Sequence, residues 1–343
     1  MRIFRHYEDL PAEARGGVVA IGNFDGVHLG HQALIGEAGA IAKDLGAPLG
    51  VLTFEPHPRR VFRPDDPPFR LTPLRAKARH IAALGADHLY VLHFDLDFSR
   101  RSAEDFVDAV LLGGLRARHI VVGRDFVFGH KRRGNVELLD RMAAAKGFGL
   151  ACVQPVTVGD DGGDEGGDEG GDEGTEAEVI SSRTIRECLR ESDVGGAAKR
   201  LGRFWELGGR VEKGEMRGRG LGFATANVSF GDYLRPAAGV YAVRAGVDRG
   251  PDTIWRDGVA SIGFRPTFGG RELLLEVHIF DFSGDLYGRQ LRVAMIGYLR
   301  PEVKFASADD LIDEMKRDAE RARGVLAEVD GPMALENSVA GTG

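Results

Sequence analysis

Cysteine is nearly missing from this chain: Cys152 and Cys188 are the only two in 343 residues. That number builds neither a disulfide framework nor a cysteine-rich metal site. Apolar runs are short, and none reaches the roughly 20 residues that span a bilayer. The start, Met1-Arg-Ile-Phe-Arg, turns charged too early for a secretion signal. The cytoplasm is therefore the expected compartment, with no membrane partner. A positive excess is missing too. The net charge is −7, but ten acidic residues and no Lys or Arg fall between Asp160 and Glu178, which leaves +3 on the remainder. Such a body suits anionic small molecules and is too weakly charged to point to DNA or RNA.

What is present describes a water-soluble globular protein, 43% hydrophobic and 28% charged, long enough for two domains. As far as Pro155, short apolar runs alternate with helical patterns. Strands are expected at Gly17–Gly22, Pro48–Phe54, His88–His93, His119–Val122 and Gly149–Pro155. Helices are expected at Gln32–Leu45, Pro73–Leu84, Ala103–Leu111 and Val136–Lys146. The alternation implies βαβ units and a parallel sheet covered on both faces, with ligands beyond the carboxyl ends of the strands.

Motif-like segments fall at those ends. The first is Gly22–His31, reading GNFDGVHLGH, between an apolar strand and the helical pattern that starts at Gln32. A strand, a tight glycine turn and a helix N-terminus set backbone N–H groups and a positive helix end against a phosphate. His28 and His31 lie near one helix entrance, and Gly30 between them carries no side chain to obstruct a nucleotide. An ordinary βα turn with polar surface histidines is the plainer reading; Asn23, Asp25 and the further glycines favour the phosphate site. Glu55-Pro-His-Pro58 follows the second strand and Gly123–Gly129 (GRDFVFG) the fourth.

Asp160 to Gly174 repeats Gly-Gly-Asp-Glu three times, has nothing to bury, and is expected to be disordered. Gly-Gly-Asp-Glu also opens the loop of cyclic-dinucleotide synthases, but the flanking strands and following aromatic of that loop are missing. Val179–Arg186 follows. Ser181 and Ser182 with Arg183 and Arg186 read equally as a helix cap with a basic first turn or as an anion-binding loop.

From Trp205 the period changes to two. Alternating runs at Glu206–Lys213, Phe223–Phe230, Gly239–Val247, Thr253–Ile262, Glu272–Phe282 and Gln290–Tyr298 predict a small antiparallel barrel or sandwich. A helix over Ser307–Val329 closes the pattern, with Ser307 and Asp310 as a capping box and Leu311, Met315, Ala319, Ala322 and Leu326 on one face. The domains expected are residues 1–187 with the insert at 160–174, a linker helix at 188–204, the barrel with its helix at 205–330, and a frayed tail at 331–343.

Taken together these segments resemble the prokaryotic bifunctional riboflavin kinase/FAD synthetase family. The resemblance runs from about Gly17 to about Leu326, carried by Gly22–His31, Thr53–Pro58 with Val61-Phe62, Gly123–Gly129, Ile180–Arg186 and Gly218–Asn227 (GRGLGFATAN). Gly239–Ala242, Arg265–Phe268, Glu276–His278 and Leu286–Gly288 continue the series. The fold it implies is an α/β parallel-sheet nucleotidyltransferase domain followed by a small antiparallel β-barrel kinase domain with a C-terminal helix. The activities it implies are phosphorylation of riboflavin to FMN and adenylylation of FMN to FAD, with ATP as co-substrate and Mg²⁺ as cofactor.

The resemblance also implies roles for residues. His28 and His31 would hold the ATP phosphates, with Gly22, Asn23, Phe24, Asp25 and Gly30 around them. Ser181, Ser182 and Arg186 would close on the triphosphate and stabilise leaving pyrophosphate. Phe54, Pro56, His57, Pro58 and Phe62 would line the flavin and adenine side, as would Asp125, Phe126 and Phe128. For the phenylalanines, core packing is the equal alternative, and Asp125 stands where some members carry Asn. In the second half Gly214, Gly218 and Gly220 would form the nucleotide loop, Thr225 and Asn227 would hold Mg²⁺, and Glu276 would be the base. Without the resemblance Thr225 and Asn227 read as routine turn formers.

Departures bear on the kinase half. Ala224 replaces the usual proline and Met216 a common glycine, which alters loop stiffness and backbone freedom there. The acidic insert precedes Ser181, where screening over about 8 Å limits its reach. An FAD synthetase whose barrel is weakened or only binds flavin is the alternative; a flavin-sensing module without turnover is a second. A homo-oligomer stays open, since the sequence does not determine the oligomeric state.

Overall fold

The computed structural model of the chain describes residues 1–159, 178–212, 225–267 and 270–330. The acidic repeats, the tail, Ala224, Met216 and the loop glycines Gly214, Gly218 and Gly220 lie outside the described residues. The chain forms two compact units, one of Met1–Pro67 with Lys77–Ser181, the other of Pro68–Ala76 with the residues from Ser182 onward.

The first unit is a parallel sheet with helices. Its strands are β1 (Arg2–Phe4), β2 (Val18–Ile21), β3 (Leu49–Glu55), β4 (His88–His93), β5 (His119–Gly123) and β6 (Gly149–Val153). Every residue of β2 is buried, as a strand covered on both faces requires, and this is why it reads as an unbroken apolar run. Helix α1 (Leu29–Asp44) presents Leu34, Ile35, Ala38 and Ala42 to the sheet at helical spacing. Helices α2 (Pro58–Phe62) and α3 (Leu74–Ala83) follow β3. Helix α4 (Ala103–Asp105), capped by the Ser102 hydroxyl, continues as a π-helix over Phe106–Gly114. Helix α5 (Val136–Lys146) starts at the Asn135 cap and stops at Gly147, whose φ of 77° closes the last turn.

Strand order is β1-β4-β3-β2-β5-β6, parallel throughout. From β2 the chain moves to β3 and β4 on one side, then returns to add β5 and β6 on the other. The order therefore reverses at β2 and β5, the position at whose carboxyl ends open α/β sheets bind their ligands. The five expected strands and the expected α/β class are present. β1 was not expected, because three residues with Arg2 among them carry no strand signal; it pairs with β4 at the sheet edge. Beyond β6, Val158 N–H donates to Glu178 O at 2.9 Å and Ile180 N–H to Val156 O at 2.9 Å, so the two flanks of the acidic segment pair antiparallel.

In the second unit α6 (Ser182–Arg190) and α7 (Val194–Leu201) lead into a closed barrel. Its strands are β7 (Glu206–Glu212), β8 (Ala226–Ser229), β9 (Gly239–Val247), β10 (Arg256–Thr267), β11 (Gly270–Ile279) and β12 (Gln290–Arg300), in the order β10-β11-β8-β7-β12-β9. Alternate residues such as Val211, Val228, Leu275, Val277 and Val293 fill the interior together with Ile185, Leu189 and Leu201 of the helices. Helix α8 (Ala308–Ala327) starts at Ser307, whose hydroxyl accepts from Asp310 N–H at 3.1 Å and donates to the Asp310 carboxylate at 2.7 Å. Its Ala322 and Leu326 pack on Ala242, Ala294, Ile296 and Phe280, covering part of the outer face. Among the described residues no helix is long and apolar enough to cross a membrane.

A fully buried ion pair lies inside the barrel unit. Arg292 and Glu206, 2% and 1% exposed, meet at 2.6 Å. Arg292 also donates to Gly250 O and Thr253 Oγ1 and lies over the Trp255 ring at 4.8 Å, so its hydrogen-bonding capacity is widely used. Glu206→Ala would leave a desolvated guanidinium, and a loss of about 3–5 kcal/mol is expected. Urea unfolding followed by tryptophan fluorescence measures it, because Trp205 and Trp255 both belong to this unit. A loss under about 1 kcal/mol would show the pair to be dispensable.

Candidate active sites

In the first unit the turn after β2 occupies the carboxyl end of the switch strand. Gly22 N–H donates to Leu52 O of β3 at 3.1 Å, and the chain then leaves the sheet. Phe24, Gly26 and Val27 take φ values of 48°, 93° and 44°. Phe24 and Val27 are not glycines, and a β-branched residue there is an outlier of the kind that collects at functional sites. A Cβ on Gly22 would stand 3.1 Å from the Phe24 ring, so glycine is what allows that ring to fold back.

His28 is the N-cap residue of α1, and its side chain makes no cap bond. Its ring stacks on His31 with centroids 3.7 Å apart, and Phe24 meets His31 edge-on at 5.1 Å. The two histidines expected at one helix entrance thus form a single stacked unit, with His28 buried and His31 half-buried. A Cβ on Gly30 would lie 3.3 Å from His28 Nδ1, so glycine also gives the His28 ring its room. The Asp25 carboxyl is buried within the same turn and the Asn23 side chain is exposed.

The segment after β3 separates into two roles. His57 Nδ1 accepts from Arg59 N–H at 3.1 Å and caps α2, with Pro58 as the first helical residue after Pro56. The phenylalanines form a continuous belt. Phe62 touches Phe94 at 5.8 Å, Phe94 touches Phe54 at 5.7 Å, and Phe54 approaches Phe106 at 6.3 Å. Phe106 meets Phe128 at 5.7 Å, and Phe128 stacks on Phe126 at 5.2 Å. The two readings of these residues divide along the belt: Phe128 is core, whereas Phe62 is 59% exposed. Asp125 is exposed in the loop after β5.

Ile180 N–H bonds back to Val156 O, which positions Ser181 just before α6. Ser182 and Arg186 belong to α6 and so to the second unit. There the Arg186 guanidinium donates to Phe69 O at 2.8 Å and lies 5.4 Å from the Phe69 ring centroid.

The barrel brings a second set together by register. Glu276 of β11 is directly opposite Asn227 of β8, and Ser261 of β10 is opposite Glu276 on its other side. Directly opposed residues on antiparallel strands share a face. Since Val228, Leu275 and Val277 point into the core, Asn227 and Glu276 share the outer face. Asn227 is 7% exposed, and its Oδ1 has no hydrogen-bond partner among the described residues. An acceptor buried without a donor is costly, and such an oxygen suits a cation. Thr225, half-buried, immediately precedes β8. Among the described residues no group of three or more His, Cys, Asp or Glu is arranged for a metal ion.

Several residues that matter to these sites escaped sequence reading. Lys77 is fully buried and donates to Asn23 O at 2.7 Å and Thr53 Oγ1 at 3.3 Å. Its signal is a lysine on the same helical face as Ala76, His80 and Ile81, all buried. Phe94, Phe98 and Phe106 carry no motif, and only the fold joins them to Phe54. Among the described residues the large upward pKa shifts fall on Tyr90 and Tyr241, where burial holds each phenol protonated and its hydrogen goes to a backbone carbonyl.

Comparison with known proteins agrees with this division. Residues 10–163 match the FAD synthetase family and residues 201–326 the riboflavin kinase family. The bifunctional riboflavin kinase/FMN adenylyltransferase of Haemophilus influenzae is 36% identical over 323 residues, which covers 94% of this chain and 98% of the relative. That of Escherichia coli is 37% identical over 325 residues, 94% of this chain and 97% of the relative. A crystal structure described as a macrolide-efflux protein from Streptococcus pneumoniae superposes with a TM-score of 0.78 at 31% identity, over 94% of this chain and 98% of that one. The chain belongs to the bifunctional riboflavin kinase/FMN adenylyltransferase family.

Proposed function

We propose that this chain phosphorylates riboflavin to FMN and adenylylates FMN to FAD, spending one ATP at each of two sites. Residues 1–187 carry the adenylyl transfer and residues 205–330 the kinase, joined through 188–204. The observation that favours two activities over an FAD synthetase with a flavin-binding barrel is Glu276 opposite Asn227, whose Oδ1 is buried without a donor. A cation bound there would satisfy that oxygen.

In adenylyl transfer a phosphate oxygen of FMN attacks the α-phosphorus of ATP, and the bond to the bridging oxygen breaks to release pyrophosphate. Both reactants arrive charged, so positioning and charge stabilisation matter more than a protein nucleophile. His28 and His31 hold the phosphates at the α1 entrance, with Gly22, Asn23, Phe24, Asp25 and Gly30 shaping the turn. Ser181, Ser182 and Arg186 take the leaving pyrophosphate. Phe62, Phe126 and Phe54 offer faces for flavin and adenine, next to Asp125 and the Pro56–Pro58 segment.

In the kinase a neutral hydroxyl of riboflavin attacks the γ-phosphorus of ATP and ADP leaves. Glu276 accepts the hydroxyl proton as that bond forms. Thr225 and Asn227 fit Mg²⁺, an oxygen-preferring ion that neutralises phosphate oxygens when bound. Gly214, Gly218 and Gly220 belong to the nucleotide loop.

Glu276→Gln is expected to abolish FMN formation and to leave FAD formation from added FMN within about twofold, since the two chemistries use separate groups. His28→Ala with His31→Ala should do the reverse. Loss of both activities in either variant would refute the two-site assignment. Asn227→Ala removes an acceptor that no donor satisfies, so urea unfolding should change by less than about 1 kcal/mol. Mn²⁺ binding followed by electron paramagnetic resonance should weaken at least about tenfold. Unchanged Mn²⁺ affinity would remove Asn227 from the cation site.

A further inference from the structure

Lys77 lies in the interior of the first unit with no exposed surface. Its ammonium donates to Asn23 O at 2.7 Å and Thr53 Oγ1 at 3.3 Å, and stands 3.6 Å from Glu55 Oε1. Asn23 follows β2, while Thr53 and Glu55 end β3. One charged group therefore ties together the carboxyl ends of two neighbouring strands. A buried ammonium is expensive unless paired, and an apolar side chain of similar length serves stability as well. Its presence calls for a reason in position.

The carbonyl of Asn23 supplies that reason. It accepts from two side chains, Lys77 Nζ at 2.7 Å and Thr53 Oγ1 at 3.2 Å. In a planar trans peptide the carbonyl and the next N–H point opposite ways. Drawing the Asn23 carbonyl inward therefore turns the Phe24 N–H away from the interior. Phe24 and Val27 then sit at φ of 48° and 44°, conformations that persist only where the surroundings over-determine them. The clamp on Asn23 is such a determinant, at the first residue of the strained stretch.

We infer that Lys77 is a positioning residue for ATP in adenylyl transfer: its ammonium, balanced by Glu55, holds the Asn23 carbonyl and so directs the N–H groups of the turn towards the triphosphate. The inference rests on the reading of this unit as the FMN adenylyltransferase. It gives Glu55 the task of keeping the ammonium charged, and it assigns neither residue contact with substrate.

The test is steady-state FAD formation by the full chain, with ATP and FMN varied separately. Lys77→Met keeps the stem and removes the donor, and the KM for ATP should rise about tenfold, the worth of one charged hydrogen bond. The KM for FMN and the rate of riboflavin phosphorylation should stay within about twofold, because neither depends on this turn. Lys77→Met with Glu55→Gln removes both charges; the KM for ATP should remain high, since the carbonyl still lacks the charged one of its two donors. Recovery to the wild-type value would reduce Lys77 to a counter-charge and overturn the inference. An unchanged KM for ATP in the single variant, or equal rises for ATP and FMN, would overturn it too. Should Lys77→Met fail to fold by circular dichroism, Thr53→Val removes the other donor to the same carbonyl. A rise of about threefold confined to ATP is then expected, and no rise would again overturn the inference. Wild-type chain that makes no FAD from FMN would refute the activity assigned to this unit, and that is seen before any variant is made.

Discussion

The reversal of strand order at β2 is the constraint on which the first unit depends. Parallel neighbours β3 and β5 flank β2, and its carboxyl end is the position at which open α/β sheets bind their ligands. The left-handed turn and the stacked His28 and His31 are placed there, and the aromatic belt from Phe62 to Phe126 joins the segments that follow β3, β4 and β5. The barrel places Asn227 and Glu276 by the alternation of the pleat alone, with the core residues Val228 and Leu275 fixing which way their neighbours face.

Buried charge is used differently in the two units. Arg292 and Glu206 are enclosed, mutually saturated and surrounded by carbonyl, hydroxyl and indole partners, which makes them a structural fastening between the ends of β7 and β12. Lys77 and Glu55 stand farther apart, and the ammonium spends its shortest bond on a backbone carbonyl of the turn. The first arrangement satisfies itself. The second shapes a neighbour.

The legible parts of the sequence are those whose period is enforced by burial. β2, β3 and β4 read as apolar runs because both of their faces are covered, and β11 reads as alternation, with Leu273, Leu275 and Val277 buried and Leu274, Glu276 and His278 between them half-buried. β1 was illegible, since three edge residues beginning with Arg2 bury too little to leave a pattern. The π-helical turn over Phe106–Gly114 shares its composition with an α-helix, so only backbone geometry separates them. In the sites, His28, His31 and Glu276 were legible through motif and family likeness. The opposition of Glu276 to Asn227 was not, because register between strands far apart in the chain has no signature in either. Lys77 was hidden for another reason: a lysine in a helix is ordinarily at the surface, and nothing local marks one drawn inward by Asn23 and Glu55. His57 adds a local feature that the motif does not show, a ring that caps a short helix.

The paired flanks at Val156–Val158 and Glu178–Ile180 have a consequence for how this chain can vary. Two backbone bonds hold the departing and returning strands side by side, so whatever lies between them begins and ends at one fixed gate. The entropy of closing such a loop grows only with the logarithm of its length. Residues added between the flanks enter and leave at the same two paired positions, which anchor the ends of β6 and Ser181. That junction is a tolerant seam in the gene, where repeats can expand or contract, or a reporter peptide be spliced in, while the chemistry on either side keeps its geometry.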